Sequence, residues 1–139
     1  MSEENLAIVR SIYRATEPWP FFDLLDEDVE VDFSTHPLPD FPVFVAGKDA
    51  AVNWWRHYWG TWDEYTVEPI EFIDAGEGQL VVVQRERGRG RGSGVPFEFD
   101  AALVFTLRAG KVARVQFHTA REQALEAVAL SEQDAHADS

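Results

Sequence analysis

The hydrophobic positions of this chain change their period about halfway along its length. The segment SEENLAIVRSIYR carries apolar residues at helical spacing after an acidic start, which predicts an amphipathic helix that ends before Pro18. The segment FFDLLDED predicts a short second helix, and a third begins at Gly47 and runs to about Trp59. The proline-rich segment STHPLPDFP, which lies before the third helix, is expected to be a loop.

The later part of the chain alternates apolar and polar residues as β-strands do. Strands are predicted at residues 29–33, 65–73, 80–91, 95–108 and 111–119. The segment AREQALEAVAL predicts a closing helix. Helices followed by hairpin-linked strands indicate an α+β fold, in which helices cover one face of an antiparallel sheet. We expect one domain over residues 1–130 and a polar, disordered tail over residues 131–139.

Charge and glycine patterns predict the register of the first long hairpin, RERGRGRGSGVPFEFD. A two-residue Ser-Gly turn at 93–94 pairs Arg89 with Glu98 and Arg87 with Asp100, which places opposite charges across the strands. The same register places phenylalanine rings over the glycines of the partner strand, a common compensation for the missing side chain. A slip of one residue would move every side chain to the other face.

The segment TLRAGKVARV predicts a second hairpin, with Ala109 and Gly110 in a two-residue turn that pairs Arg108 with Lys111. Strict alternation from this turn assigns the two faces of the sheet. One face is predicted to carry Val82, Gln84, Glu86, Phe97, Phe99, Ala101, Leu103, Phe105, Arg114, Gln116 and His118. The other is predicted to carry Val81, Val83, Ala102, Val104, Val115 and Phe117. Because the centre of this second face is apolar, we expect a second copy of the chain to cover it, which makes a homodimer.

The polar side chains that interrupt the aromatic face form the candidate site. Buried polar groups need partners, so a cluster of them indicates a hydrogen-bonded network or a ligand site. In the predicted register Glu86 and His118 lie on either side of Ala101, and a carboxylate that leans toward a histidine tunes its charge and makes a general base. The alternatives are a structural pair under a helix, or a register that turns His118 outward.

Four of the five tryptophans lie in VNWWRHYWGTW, residues 52–62. On a helical wheel this segment has a stripe that we expect to cover the aromatic sheet face across a cavity, with Tyr13 closing one side. Tryptophan and tyrosine combine apolar area with a polar tip, which suits a pocket, and core packing alone is the alternative. The residues expected to contact a ligand are Trp55, Trp59, Gln84, Phe97, Phe99, Leu103, Phe105, Arg114 and Gln116.

Charge and composition exclude several classes of partner and cofactor. A net charge of −13 repels phosphate backbones and anionic lipid, so neither nucleic acid nor a membrane is an expected partner. The chain has no cysteine and its four histidines lack ligand spacing, so no metal or other cofactor is expected. It shows neither a membrane-spanning apolar run nor a signal peptide, which indicates a cytoplasmic protein.

The segments LLDEDVEVDF, FVAGKDAAVNWW, RGRGSG and LRAGKVARVQFHTAREQALEAVAL resemble the SnoaL-like branch of the nuclear transport factor 2-like superfamily. The resemblance runs from about Glu4 to Leu130 and is most specific at its end. It implies a curved sheet wrapped by N-terminal helices into a cone with an interior apolar pocket, and usually a homodimer through the outer sheet face. Members include ketosteroid isomerases, limonene epoxide hydrolases, scytalone dehydratases, polyketide cyclases and non-catalytic binding modules, so the fold does not determine the function.

The catalytic residues of ketosteroid isomerases are only partly matched. The tyrosine on their first helix corresponds to Tyr13. Their basic aspartate corresponds to Phe33, with Asp32 one position away, and their protonated aspartate falls near Leu103. Because two of the three roles have no matching residue, this resemblance does not imply that activity. Scytalone dehydratases use paired histidines, for which His118 is the one candidate here.

Two functions therefore stay open. The first is a binding protein that holds a small hydrophobic molecule in the interior pocket. The second is a cofactor-free enzyme of the isomerase, lyase, cyclase or epoxide-hydrolase type that acts on a polyketide- or terpenoid-like substrate. Its catalytic candidates are Glu86, His118 and Tyr13, and the discriminating feature is whether these three side chains converge on a void that solvent reaches.

Overall fold

The computed structural model describes residues 2–15, 19–35 and 41–137. The predicted end of the first helix at Pro18 and loop residues 36–40 lie outside the described residues. The elements in chain order are α1 (Ser2–Arg14), α2 (Trp19–Leu24), β1 (Leu25–Asp32), β2 (Phe44–Ala46), α3 (Lys48–Gly60), β3 (Trp62–Gly76), β4 (Gln79–Gly90), β5 (Pro96–Arg108), β6 (Lys111–His118) and α4 (Arg121–Ala137).

The described strands form one curved, unclosed sheet in the order β2-β1-β6-β5-β4-β3. Neighbouring strands are antiparallel except β1 and β6, which are parallel. The predicted α+β fold is confirmed, and the sheet has in addition the short strand β2, which was not predicted. Helix α4 continues to Ala137, beyond Leu130, where the sequence analysis ended it.

Helices α1 and α3 pack against one face of the sheet, which we call the inner face. Helix α3 buries Ala51, Trp54, Trp55 and Tyr58, because these residues recur at intervals of three and four and share one side of the helix. They pack with aromatic and aliphatic residues of the sheet in the inner core. Each ring buries on the order of 150–250 Å² on folding, which makes this layer the main source of hydrophobic stabilisation.

Helix α4 packs on the opposite face of the sheet, which we call the outer face. Val81, Ala102 and Val104 of the sheet are buried there against Ala124 and Val128 of the helix. The predicted homodimer was inferred from exposure of this apolar centre, which is instead packed inside the protomer. A homodimer through the outer face stays a prediction, but the apolar centre of that face no longer supports it, because α4 covers it.

The register of β4 and β5 differs from the predicted register by two residues. Gly88 lies opposite Phe97 rather than Phe99, because the connecting loop is wider than a two-residue turn and the amide of Gly90 donates to the carbonyl of Val95. A shift of two residues leaves every side chain on its predicted face. The arginine–carboxylate ladder is shifted in the same way. The observed ion pairs are Arg85 with Asp100 and Arg87 with Glu98.

The second hairpin starts as predicted and then departs from the prediction. Ala109 and Gly110 form the turn with φ angles of 54° and 78°, and Arg108 pairs with Lys111. Ala113 is then an extra residue in β6, a β-bulge after which every side chain of β6 lies on the face opposite to the predicted one. Val115 and Phe117 therefore belong to the inner core, whereas Arg114, Gln116 and His118 lie on the outer face.

Candidate functional site

A cavity of about 250 Å³ lies between the inner face of the sheet and the N-terminal helices. Its walls are mostly aromatic and aliphatic, and its polar groups are tyrosine hydroxyls, one amide and one carboxylate. It is lined by Ile12, Tyr13, Ala15, Phe21, Trp55, Tyr58, Trp59, Tyr65, Val67, Gln84, Glu86, Leu103, Phe105 and Phe117.

Seven of the twelve predicted site residues line this cavity, because the stripe of α3 and the faces of β4 and β5 were predicted correctly. They are Tyr13, Trp55, Trp59, Gln84, Glu86, Leu103 and Phe105. These seven residues lie around one cavity between α3 and the sheet, with Tyr13 on its wall.

Three predicted site residues, Arg114, Gln116 and His118, lie outside the cavity because the bulge at Ala113 turns them to the outer face. His118 is buried there, with Nδ1 3.3 Å from the hydroxyl of Thr35. The structure does not bring His118 to Glu86, and the predicted acid–base pair is thereby corrected. Tyr13 and Glu86 alone remain of the three catalytic candidates.

Two predicted ligand contacts, Phe97 and Phe99, lie beside the cavity rather than on its wall. The ring of Phe97 packs on Trp62 with centroids 4.5 Å apart and also covers Gly88. A Cβ atom at Gly88 would lie 2.9 Å from that ring, so the glycine is required by the close approach. Phe99 stacks on Phe97 and packs against the core. Both phenylalanines therefore support the sheet.

The sequence analysis did not include among the site residues the two tyrosines that donate to Glu86. Tyr58 lies on the stripe of α3, three residues after Trp55, so its position was available from the helical wheel. Tyr65 lies two residues before Val67, which pairs with Glu86 across β3 and β4. Strand alternation would have placed Tyr65 on the same face as Val67, but the register of β3 had not been assigned.

The centre of the site is the carboxylate of Glu86, whose residue is 2% exposed. Its Oε1 accepts hydrogen bonds from the hydroxyls of Tyr58 at 2.8 Å and Tyr65 at 2.5 Å. Its Oε2 accepts a longer hydrogen bond of 3.2 Å from the side-chain amide of Gln84. The Oε1 atom of Gln84 in turn accepts from the hydroxyl of Tyr13 at 2.5 Å. The four side chains are thus connected to Glu86 as one network.

The protonation of the three tyrosines determines which groups donate the hydrogen bonds of this network. Burial is the largest cause that raises the pKa values of Tyr13, Tyr58 and Tyr65 above the ordinary 10.0, and the nearby charge of Glu86 raises them further. All three tyrosines therefore stay protonated at neutral pH and act as donors. Tyr13 fixes the orientation of the Gln84 amide, because its donation to the amide oxygen directs the amide nitrogen to Glu86.

A second polar cluster lies on the outer face around Asp32. Arg114 donates to its Oδ2 at 3.0 Å, and the backbone amide of Ser34 donates to its Oδ1 at 2.9 Å. Burial alone would raise the pKa of Asp32, but the hydrogen bonds from Ser34 and the guanidinium of Arg114 together hold it below the ordinary 3.8. Burial lowers the pKa of His118 below 6.5, and the charge of Asp32 opposes that effect.

Within residues 2–15, 19–35 and 41–137, no group of three or more histidine, cysteine, aspartate or glutamate residues is placed to hold a metal ion. Over the same residues, no helix has both the length and the apolar character that a membrane span requires.

Known structures share this fold at low sequence identity. A candidate SnoaL-like polyketide cyclase from Jannaschia sp. CCS1 superposes with a TM-score of 0.72 and 15% identity, over 91% of this chain and 92% of that one. A nuclear transport factor 2-like protein from Burkholderia thailandensis E264 gives a TM-score of 0.70 and 24% identity, over 89% and 96%. TerC, co-crystallised with polyporic acid, gives 0.66 and 16% identity, over 90% and 98%.

The sequence itself carries the assignment to a family. The sequence of the chain matches no curated protein. Residues 5–115, which include the cavity-lining helices α1 and α3 and most of the sheet, match the sequence model of the SnoaL-like domain. Together with the six-stranded sheet, this match shows that the chain belongs to the SnoaL-like domain family, within the nuclear transport factor 2-like fold.

Proposed function

We propose that the protein binds a small, mostly apolar molecule in the interior cavity, and that Glu86 holds the polar end of that molecule. The observation that carries the proposal is a cavity of about 250 Å³ in which a buried carboxylate is surrounded by aromatic walls. Small-molecule sites have this composition, predominantly apolar with a few placed polar groups.

The size of the cavity sets the size of the ligand. An engineered cavity of about 150 Å³ in another protein binds benzene, which has six carbon atoms. By proportion, a cavity of about 250 Å³ suits a molecule of roughly ten non-hydrogen atoms. A ring with a short substituent meets this limit, whereas a molecule the size of a tetracyclic polyketide exceeds it.

The chain leaves this cavity open to solvent rather than filling it with its own side chains. A larger side chain at Ala15 or Leu103 would reduce the void, and the chain has small or medium residues at both positions. Proteins of this fold have been crystallised with small organic molecules, polyporic acid and trimethylamine among them, which supports ligand binding of this kind.

The test uses indole, a neutral ring compound with nine non-hydrogen atoms, as the probe. We expect saturable binding in ¹H–¹⁵N NMR titrations, with the largest shifts at Trp55 and Leu103. Ala15→Phe, which places a ring in the cavity, is expected to weaken indole binding at least tenfold. The control Val95→Ala changes a side chain that is 63% exposed and is expected to leave binding unchanged. Unaltered binding to a folded Ala15→Phe variant, or none to the wild type at millimolar indole, contradicts the proposal.

A second candidate function is proton transfer, and one observation favours it. Both tyrosines donate to Oε1 of Glu86, which leaves Oε2 with a single, long hydrogen bond from Gln84. A carboxylate oxygen that is open to the cavity has the position of a general base toward a bound carbon acid. Wild-type protein should then accelerate exchange of the α-hydrogens of cyclohexanone with D₂O, and Glu86→Gln should abolish the acceleration. Equal exchange rates with and without protein exclude this activity toward that ketone and leave the binding proposal intact.

A further inference from the structure

The charge of Glu86 has no counter-ion in the part of the chain that the structure describes. Its hydrogen-bond partners are the hydroxyls of Tyr58 and Tyr65 and the amide of Gln84, all of which are neutral. The ion pairs of the described residues join arginines to six other carboxylates, and none of them includes Glu86. Buried charges in proteins are normally paired, so a carboxylate that is 2% exposed and lacks a cation is unusual.

The geometry around the carboxylate leaves room for one more donor. Both oxygens accept hydrogen bonds, which is the pattern of an ionised carboxylate. An ionised carboxylate has about four acceptor positions, and three donors occupy them here. The open position is on Oε2, where the bond from Gln84 is 3.2 Å long. A ligand that donates a charge-assisted hydrogen bond, or that places a positive charge nearby, complements this oxygen.

The walls of the cavity favour the same kind of ligand. Aromatic rings have an electron-rich face that attracts cations, most strongly in tryptophan and tyrosine. The cavity is lined by two tryptophans, Trp55 and Trp59, and by three tyrosines, Tyr13, Tyr58 and Tyr65. A carboxylate enclosed by such rings is suited to an ammonium group on an apolar body. The net charge of −13 also raises the concentration of organic cations near the protein surface.

We propose that the ligand of this cavity is an organic cation, a protonated amine or a quaternary ammonium group carried by an apolar body of roughly ten non-hydrogen atoms. Its positive centre lies near Oε2 of Glu86 and its apolar body lies among the rings of α3. This inference rests on the proposed function and narrows it to a class of ligand.

The test compares two probes of the same shape. Benzyltrimethylammonium carries a charge that does not depend on pH, and 2,2-dimethylpropylbenzene has carbon in place of its nitrogen. We expect wild-type protein to bind the ammonium probe at least about tenfold more tightly than the carbon isostere. Ion pairing and cation–π attraction together contribute more binding free energy than a tenfold change in affinity requires. Dissociation constants are measured by NMR titration, which needs no substitution in the protein.

Glu86→Gln then removes the charge while it preserves the shape of the side chain. The variant is expected to lose at least about tenfold in affinity for the ammonium probe and, with it, the preference for that probe over the carbon isostere. Glu86→Asp keeps the charge and is expected to retain a preference for the ammonium probe, which separates the loss of charge from a disturbed fold.

The outcomes distinguish this inference from the proposed function. If indole or the carbon isostere binds in the cavity but the ammonium probe has no advantage, the organic cation is overturned and the binding function stands. If none of the three probes binds to wild-type protein, both are overturned. A cation preference that is unchanged in folded Glu86→Gln also overturns the inference, since the carboxylate would then not be its cause.

Discussion

Two carboxylates of the sheet are stabilised in different ways. Glu86 lies on the inner face and Asp32 lies on the outer face. Asp32 is paired with the guanidinium of Arg114 at 3.0 Å and also accepts from the backbone of Ser34. Glu86 is buried more deeply and is held by neutral donors, with no ion pair among the described residues. The paired charge stabilises the junction of β1 and β6, whereas the unpaired charge is placed where a ligand can complete it. The difference between them identifies the inner cluster as the candidate site.

The separation of the two clusters depends on the bulge at Ala113, and deleting that residue is expected to have the largest effect. The deletion would restore strict alternation in β6, turn its three polar residues into the core and turn its two core residues outward. Burying polar groups without partners costs on the order of 2–7 kcal/mol for each group, so the deletion variant should not fold cooperatively. Circular dichroism during heating measures this.

Ala113→Gly serves as the control, because it shortens one side chain and keeps the chain length. We expect it to unfold cooperatively, with a loss of about 1 kcal/mol in the free energy of unfolding. A deletion variant that kept the near-ultraviolet spectrum and the melting temperature of the wild type would contradict the role given to the bulge.

Removing the donors to Glu86 is expected to have the next largest effect. In the double variant Tyr58→Phe and Tyr65→Phe, both hydrogen bonds to Oε1 are lost, and a hydrogen bond to a charged group contributes about 1.5–3 kcal/mol. The free energy of unfolding in urea should fall by about 3 kcal/mol or more. Tyr13→Phe is the matched control, because Tyr13 donates to the neutral Gln84 and should cost about 1 kcal/mol. A loss in the double variant no larger than twice the loss in Tyr13→Phe would mean that the charge of Glu86 adds nothing.

Breaking the outer ion pair is expected to have a smaller effect. Arg114→Met should lower the free energy of unfolding at neutral pH by at most about 1 kcal/mol, because the arginine side chain is 42% exposed and its attraction is screened. The hydrogen bonds and charge that depress the pKa of Asp32 contribute stability above pH 3.8, which is lost as the pH falls through the lower pKa of the folded state.

Urea denaturation at pH 7 and pH 3 tests this sign. The difference between wild type and Arg114→Met should be larger at pH 7 than at pH 3. Arg87→Met, which breaks an exposed pair with Glu98, is the control and should change stability by about 0.5 kcal/mol or less. If Arg114→Met lost more free energy of unfolding at pH 3 than at pH 7, the lowered pKa of Asp32 would be contradicted.

The titration of His118 is the smallest of the expected effects and reports which carboxylate is its neighbour. Burial lowers its pKa, so the NMR midpoint should lie below 6.5. Asp32→Asn should lower the midpoint further, because the charge of Asp32 opposes the effect of burial, while Glu86→Gln should move it less. The folded state favours the neutral ring, so this histidine makes stability fall as the pH drops from 6.5 through the lower pKa of the folded state. A midpoint above 6.5 would instead indicate a closer carboxylate than the structure shows.

Much of the inner face was predictable, because an error of two residues in a strand register leaves each side chain on the same face. The stripe of α3 depends on local spacing alone, so Trp55 and Trp59 were placed correctly. The register of β4 and β5 was shifted by two residues, yet Gln84 and Glu86 stayed on the inner face because the period of a strand is two.

The faces of β6 were predicted wrongly, because one extra residue in a strand moves every later side chain to the opposite face. The turn at Ala109 and Gly110 was correct, and strict counting from it placed His118 inward. Nothing at Ala113 itself marks a bulge in the sequence. The apolar alternation of Val115 and Phe117 was nevertheless a signal, since burying those two in place of their polar neighbours is strongly favoured. Core burial outweighs regular pairing at this strand.

The contact of Glu86 with Tyr65 was beyond prediction for a different reason. Strand β3 has irregular pairing with β4 between Asp63 and Thr66, and again between Pro69 and Glu71. Counting from a turn fails across such irregularities, so the position of Tyr65 opposite α3 required the folded structure. The convergence of Tyr58 and Tyr65 on one oxygen is a tertiary feature that no single segment encodes.

A crystal structure of the protein soaked with indole tests the central claim most directly, because it locates a neutral probe relative to both carboxylates at once. The account predicts electron density in the interior cavity, with the ring between Trp55 and Leu103 and the indole nitrogen within hydrogen-bonding distance of Oε2 of Glu86. Indole found only at the outer face near Asp32 and His118, or a cavity that keeps ordered water on Glu86 at saturating indole, would contradict it.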